Sequence, residues 1–437
     1  MEEKKKKEVS FGQKPDIKLV EKDLEYLGNE VHEADTGLTK EQYKNTRPKI
    51  TVSLSKSITL YKENAILPPA DGKSIANIEI KSIEEAQLYN SEDTQNGNEP
   101  QKPIILRKKD IQILYALSIY IARWGADPTI EEYVRKLSIG ERPGIRITRL
   151  VDIDELASII LMTPANKVRE REREEVHKRL VNLTKIRQHI KLRGNVFDEE
   201  EGYIPNQPIE YDDQYLGSVG AKFKYPNRTG DLHYWVEIVF SDLFFYNLLG
   251  VNSRFAPIPP SIMVIRDVDR TNKKGKVVPG KELNNTEVFW KVFSLLNAER
   301  WRFVSKGVAD ARKGAEDKIK EDGIKNYGLK QKRIKEAVEK GLVYVVPVKK
   351  ILGIISDSYT SNYKRMSKKG AKGDFWVELN NTLKALKVIG YLDKDSFIEV
   401  NEDTPTESKV YFVYNREYEK LPKFNLPTSN NNEENNE

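Results

Sequence analysis

Between Ser361 and Gly373 the chain places Lys364, Arg365, Lys368, Lys369 and Lys372 with no acid among them, and intersperses them with serine and glycine. Cations release the counterions condensed on a nucleic-acid backbone, and small residues let backbone N–H groups come close to phosphate, so this composition suits a grip on a duplex. Directly after it Trp376, Leu379, Leu383 and Leu386 recur at helical spacing, which leaves Asn380, Asn381, Lys384 and Lys387 off the apolar stripe. Asparagine can pair with adenine through two hydrogen bonds, and lysine can reach guanine or phosphate. Each of the four taken singly fits a plain solvated surface equally well; their common face is what favours base reading.

A related set occurs earlier. Asn166, Lys167, Arg169 and Arg173 fall near the start of a predicted helix that Thr163-Pro164 would open, with threonine as cap and proline where its missing N–H is no loss. Helix-turn-helix proteins make base contacts from such a position. The alternation of arginine and glutamate over 169–175 equally fits charge pairing along an exposed helix. Arg187, His189, Lys191 and Arg193 then alternate along a strand-like run, which puts all four on one face as candidates for backbone contact.

Catalytic chemistry finds little support. The four histidines, His32, His177, His189 and His233, form no His-x-His pair, and Gly72-Lys73-Ser74 is no phosphate loop because Leu67 stands where its first glycine belongs. Asp152-x-Asp154 and Asp267-x-Asp269 have the spacing of paired metal carboxylates, but that spacing is common, and the first pair opens a helix, where acids favour the dipole. Tyr359 and Tyr363 lack the Arg/His surroundings of a tyrosine nucleophile. Zero cysteines remove disulfides and thiolate chemistry and agree with a reducing compartment. The expectation is a protein that is not an enzyme and uses no metal or cofactor.

The elements that must carry these residues divide a chain of 437 residues, more than one core usually serves. Residues 1–100 read as an N-terminal arm with a small β element (Ile50, Val52, Leu54, Ile58 and Leu60 on alternate positions, then Ile78 and Ile80), ending in a polar linker from Asn90 to Pro100. Residues 101–255 read as a first domain. It has a helix over 110–124, a short apolar helix over 154–161, a long helix ending in Val176, Leu180 and Leu183, and a strand from Tyr234 to Phe240 leading into a helix capped by Ser241-Asp242. Residues 256–285 read as a loop linker, 286–418 as a second domain and 419–437 as a disordered tail. The second domain holds an aromatic helix over 288–296, a short helix over 348–355, the helix ending at Gly390, and two β-prone runs, 397–400 and 410–414, that would form a hairpin. The glycine-interrupted, charged stretch 312–340 reads as solvated helical pieces.

The net charge of +6 is unevenly spread: residues 101–200 carry +5 and 301–400 carry +9, while the first hundred and the last segment are acidic. Positive charge thus falls on the two parts that repeat the order short helix, long helix, strand, as a phosphate-backbone binder requires. No apolar run is long enough to span a membrane and no secretory signal opens the chain, so a cytoplasmic protein without membrane contact is expected. The expected fold class is α+β: two tandem winged-helix domains, a small β-containing N-terminal segment and disordered tails.

This layout resembles the plasmid replication initiator (Rep) family with two winged-helix domains. The resemblance covers about residues 104–415 and is carried by the helix 110–124, the helix 164–184, the passage Val236–Phe245, the aromatic helix Val288–Leu296 and the run Leu379–Leu392. It implies sequence-specific binding of double-stranded DNA at origin repeats, recruitment of host helicase and polymerase, no catalysis of its own, and exchange between a self-repressing homodimer and an origin-binding monomer. The same helices would equally serve a transcriptional regulator, or a scaffold or partition protein that uses them for protein contacts. In the DNA-binding readings each long helix enters a major groove, the two grooves about one helical turn apart, while the wings and the 361–373 loop hold phosphate.

Overall fold

The structure is a computed structural model and describes residues 48–59, 66, 78–90, 104–122, 124, 127–138, 148–198, 200–226, 232–249, 254–267, 269–271, 275–355, 374–416 and 418. The polar linker, the basic loop 361–373 with its five cations, Tyr359 and Tyr363, and the terminal tail lie outside them. The chain is α+β and divides into two compact units, with the change of unit between Glu282 and Leu283. No helix among the described residues is long and apolar enough to cross a membrane.

The first unit opens with strand β1 (Lys49–Thr51), paired antiparallel with β8 (Phe255–Pro257), and helix α1 (Val52–Thr59). The alternating apolar residues there read as a strand, but Leu54 and Ile58 are one helical turn apart and both buried. The intervening serines become compatible with burial because Ser57 and Thr59 donate their hydroxyls to the carbonyls of Ser53 and Ser55, 3.0 and 3.2 Å away. Strand β2 (Ile78–Asn90) pairs with β4 (Ile186–Asp198), itself paired with β5 (Gly202–Tyr215). Residues assigned by sequence to a separate N-terminal arm are thus built into the first unit. The expected linker 256–285 is likewise partly core: Ile258, Ile262, Met263 and Ile265 are buried.

At the centre of this unit lies α2 (Lys108–Ile121), buried on nearly every side, with α3 (Pro128–Ser138) beyond it. Strand β3 (Thr148–Asp152) then runs directly into α4 (Ile153–Leu161), whose N-cap Asp152 accepts from the backbone N–H of Asp154 and Glu155. Thr163-Pro164 does not open the long helix. It precedes a single 3-10 turn, Ala165–Lys167; Val168 is extended and buried, and α5 (Glu170–Thr184) starts only at Arg169, whose N–H donates to the Glu172 carboxylate 3.0 Å away. Strands β6 (Gly217–Pro226) and β7 (Leu232–Phe240) complete a second sheet of order β3-β7-β6, and α6 (Asp242–Leu249) follows. A two-stranded ladder, β9 (Arg270–Thr271) with β10 (Val277–Val278), precedes the second unit.

The second unit is built on α7 (Glu287–Trp301), capped by Thr286 and buried along almost its whole length. A π-wound segment, Arg302–Gly307, carries it into α8 (Val308–Glu321), which pairs with α9 (Tyr327–Gly341) as the solvated helical pieces read from sequence. Strand β11 (Val343–Pro347) runs directly into α10 (Val348–Ile355); α11 (Asp374–Val388) and the hairpin of β12 (Phe397–Glu399) and β13 (Lys409–Val413) follow, the sheet order being β11-β13-β12. Gly390 takes φ 68° just beyond α11, the left-handed stop its position predicted.

The two units share one internal plan. In each, a buried helix (α2 or α7) packs against a short and a long helix; the strand before the short helix pairs antiparallel with the last strand of a three-stranded sheet; and the last strand lies in the middle. Both long helices have 15 residues. The first unit differs by inserting β4 and β5 between its long helix and its closing hairpin.

Candidate nucleic-acid interface

On α11 the buried positions are Phe375, Trp376, Leu379, Thr382, Leu383, Ala385 and Leu386. The remaining described positions are exposed or half-buried: Val377, Asn380, Asn381, Lys384 and Lys387 at the spacing of successive helical turns, with Glu378 and Val388 beside them. Asn380 donates its amide to the Trp376 carbonyl at 2.9 Å, which holds the side chain against the helix and leaves its oxygen as the outward acceptor. Val377, apolar and exposed, was missed by a search for polar readers, although an apolar side chain is what a thymine methyl group meets. Lys387 is half-buried; burial pulls its ammonium below the ordinary lysine range, and Asp393 and Asp395 oppose that shift.

The hairpin beside this helix departs from the expected phosphate grip. From Asp393 to Lys409 it carries Asp393, Asp395, Glu399, Glu402, Asp403 and Glu407 against Lys394 and Lys409. Asn401 turns its tip by accepting from the N–H of Asp403 and Thr404 at 3.1 and 3.0 Å, and Phe397 stacks on Tyr411 at 4.5 Å. An acidic hairpin repels a phosphate backbone, so β12–β13 is no clamp for it.

In the first unit, Asn166, Lys167 and Arg169 are exposed around the start of α5, but Arg173 is not. Its side chain is 19% exposed and ion-paired with Asp154, which is 2% exposed and also accepts from the Tyr234 N–H at 3.0 Å. Its guanidinium lies 5.0 Å from the Tyr234 ring centroid and 3.3 Å from Glu170. Arg173 therefore ties α5 to α4 and β7, and its guanidinium is turned inward instead of toward a base edge. The same contacts explain Asp152-x-Asp154: one carboxylate caps a helix and the other neutralises a buried arginine. Among the described residues no group of three or more potential metal ligands comes together.

Strand β4 does place Arg187, His189, Lys191 and Arg193 on one face, alternating with buried Ile186, Gln188, Ile190 and Leu192. That face is already matched. Arg193 pairs with Glu84 at 2.7 Å, Lys191 with Glu210 at 3.4 Å and Glu85 at 3.6 Å, His189 with Glu210 at 3.4 Å, and Arg187 stacks on Tyr215 at 4.3 Å and donates to its hydroxyl. Acids of β2 and β5 compensate it, so Arg187 and Lys191 are sheet-pairing residues first. Arg169 is 80% exposed yet pairs with Glu172.

Further cations of this unit gather around α5, among them Lys222, which lies 3.8 Å from Glu174. Arg171 and Lys178 are exposed on α5, about two turns apart, and have no ion pair among the described residues. Lys222 and Lys224 of β6 are brought beside α5, their ammonium groups 5.6 and 4.6 Å from the Tyr234 ring. The Tyr234 hydroxyl donates to Glu170 at 2.7 Å, and hydrogen bonding with Tyr234 holds Lys224 above the usual lysine range. Burial and then the charge of Lys222 push His177 of α5 below its ordinary value. Nothing in the local sequence of β6 pointed to these lysines, since only the sheet register sets them against α5.

No protein-family model matches the chain, and no curated protein matches it. Among solved structures it is similar to two crystal structures of RctB. The first, of selenomethionine derivatives of its domains 2 and 3, has a TM-score of 0.35 and 11% identity over 83% of this chain and 99% of that one. The second, of RctB domains 2-3, has a TM-score of 0.34 and 10% identity over 82% and 97%.

Proposed function

We propose that the chain is a sequence-specific double-stranded DNA-binding protein made of two winged-helix domains, acting in initiation of replication of an extrachromosomal element at origin repeats. The observation that carries the DNA-binding part is the polar face of α11, with Val377, Asn380, Asn381, Lys384 and Lys387 exposed or half-buried on a helix whose opposite face is core. The recurrence of strand, short helix, long helix and closing hairpin in both units supports the winged-helix assignment. An α-helix fits the major groove, and asparagine and lysine side chains at adjoining turns reach adenine and guanine edges. In the first unit the contact falls to Asn166, Lys167, Arg169, Arg171, Lys178, Lys222 and Lys224 around the exposed side of α5. Lys364, Arg365, Lys368, Lys369 and Lys372, next to α11 in sequence, supply the phosphate grip that the acidic hairpin does not. The protein performs no catalysis in this scheme; it works in the cytoplasm, with host helicase and polymerase as its partners and a homodimer as its idle form.

The test is a protection assay on the DNA flanking the gene, with the parent chain and with Asn380→Ala/Lys384→Ala. The parent should protect iterated repeats. The variant should lose those footprints while its affinity for unrelated duplex changes less than about threefold. Protection without preference for any repeat, or footprints that survive the double change, would overturn the assignment.

A further inference from the structure

Residues 302–341 leave the second unit as a helical hairpin that neither duplex-facing helix uses. Its root is fastened. Phe303 of the π-wound segment lies 4.7 Å from the Tyr344 ring and 5.8 Å from the Tyr414 ring. Gly307 and Gly341 cross so closely that a β-carbon on either would stand 3.2 or 3.1 Å from the other's carbonyl oxygen. Because the π-wound segment continues α7 into α8, the core helix sets the hairpin's direction. Two helices of 14 and 15 residues carry its tip about 20 Å from that root.

Core formation does not explain the hairpin, since Ile319 and Val338 are the buried residues of its two helices. The tip has a marked composition. From Lys318 to Lys335 there are seven cations and two acids. Arg333 is spent on Asp322, and Lys320 is 3.9 Å from Asp317. Lys318, Lys325, Lys330 and Lys332 have no ion pair among the described residues. In their midst Tyr327 is 74% exposed and Leu329 53% exposed. Tyr327 opens α9 and presents its ring to water among these cations. Cations that track a phosphate backbone, together with an aromatic face on which a base can stack, are the two components of a single-strand site. A duplex keeps its bases stacked on one another and offers such a ring no partner.

We propose that the hairpin tip, residues 318–335, binds single-stranded nucleic acid, with Tyr327 stacking on a base and Lys325, Lys330 and Lys332 holding phosphates. The site is additional to the duplex-facing helices and does not depend on them.

The intact chain is titrated with a fluorescent oligothymidylate of about 15 nucleotides and with a mixed-sequence duplex of equal length, at several salt concentrations. Tyr327→Ala should weaken oligothymidylate binding about 5- to 100-fold and move duplex affinity less than about twofold, while Tyr327→Trp should retain the parent's affinity. Lys325→Ser/Lys330→Ser/Lys332→Ser should make the salt slope for the single strand shallower by about two, at about 0.7 per phosphate contact. Unchanged thermal midpoints keep the readout one of binding, since these side chains do not belong to the core. No salt-sensitive binding of oligothymidylate by the parent, no loss on Tyr327→Ala, or equal losses on single strand and duplex would each overturn the proposal. Loss of repeat-specific footprints in Asn380→Ala/Lys384→Ala, with single-strand binding intact, concerns the α11 face alone.

Discussion

Helices α5 and α11 hold the same place in the two units and have the same length, yet they differ in how densely they are charged. The polar side of α5 is dense in charge and largely satisfied from within: Arg169 by Glu172, Arg173 by Asp154 and Glu170, Arg179 by Glu175. The polar side of α11 is sparser in charge, with two asparagines, two lysines and Glu378. A count of arginines would choose α5 as the reader. A search for side chains that both donate and accept, set opposite the core face, chooses α11, and those are what a base edge can use.

The largest effect expected from breaking this contrast is on stability. Asp154→Ala leaves the mostly buried Arg173 guanidinium with the more exposed Glu170 as its remaining acid and should cost roughly 3–5 kcal/mol in denaturant unfolding. If Arg173 were instead a base reader, Asp154→Ala would leave stability nearly unchanged and alter DNA specificity. Next comes the reader itself: Asn380→Ala and Lys384→Ala should each cost about 1–3 kcal/mol of discrimination on the preferred site, seen in competition binding against unrelated duplex.

Lys49 sharpens the distinction between a buried and an available cation. It is 3% exposed, 4.9 Å from the Phe255 ring, and burial lowers its pKa from 10.5 to about 8. Below about pH 8 the folded and unfolded states are both charged here, and the folded state bears the desolvation cost; above 10.5 both are neutral and the cost is gone. Lys49→Met should therefore stabilise the chain by roughly 1–3 kcal/mol at pH 7. Its advantage should shrink as pH rises through 8 and vanish beyond 10.5, measured as variant minus parent in urea unfolding.

Smaller effects separate the two basic surfaces of the first unit. Arg171→Gln/Lys178→Gln should flatten the salt dependence of duplex binding by up to about two units, at about 0.9 per contact. Lys191→Gln/Arg193→Gln, whose partners are Glu85, Glu210 and Glu84, should leave that slope unaltered. The smallest change is expected at the acidic hairpin. Glu402→Gln/Asp403→Asn should raise duplex affinity about two- to threefold at low salt, an advantage that fades as screening shortens the repulsion.

Much of the fold was legible because its signals are local. The stripe of α11, the Gly390 stop, the Ser241-Asp242 start of α6 and the burial of α7 follow from side-chain spacing alone. Where two local signals competed, the wrong one was chosen. Thr163-Pro164 has good capping chemistry, but Val168 had to be buried first, and the Glu172 carboxylate capped a later start. At 52–59 an alternation of apolar residues concealed an i, i+4 pair, because serines that donate to their own helix can be buried as apolar residues are.

What the amino-acid order determined by itself was most of the long helices with their apolar stripes, the placing of basic residues in two regions, and the absence of cysteine chemistry, since each of these depends on neighbours within a few positions. What only the tertiary structure decided was which charges remain available. Asp154, Glu85, Glu210 and Glu84, which pair with Arg173, Lys191 and Arg193, come from 19 to 109 residues away in the chain. Lys222 and Lys224 reach α5 through a sheet register that no local pattern encodes. Coulomb attraction depends on distance in space, and sequence separation says nothing of that distance until the chain has folded.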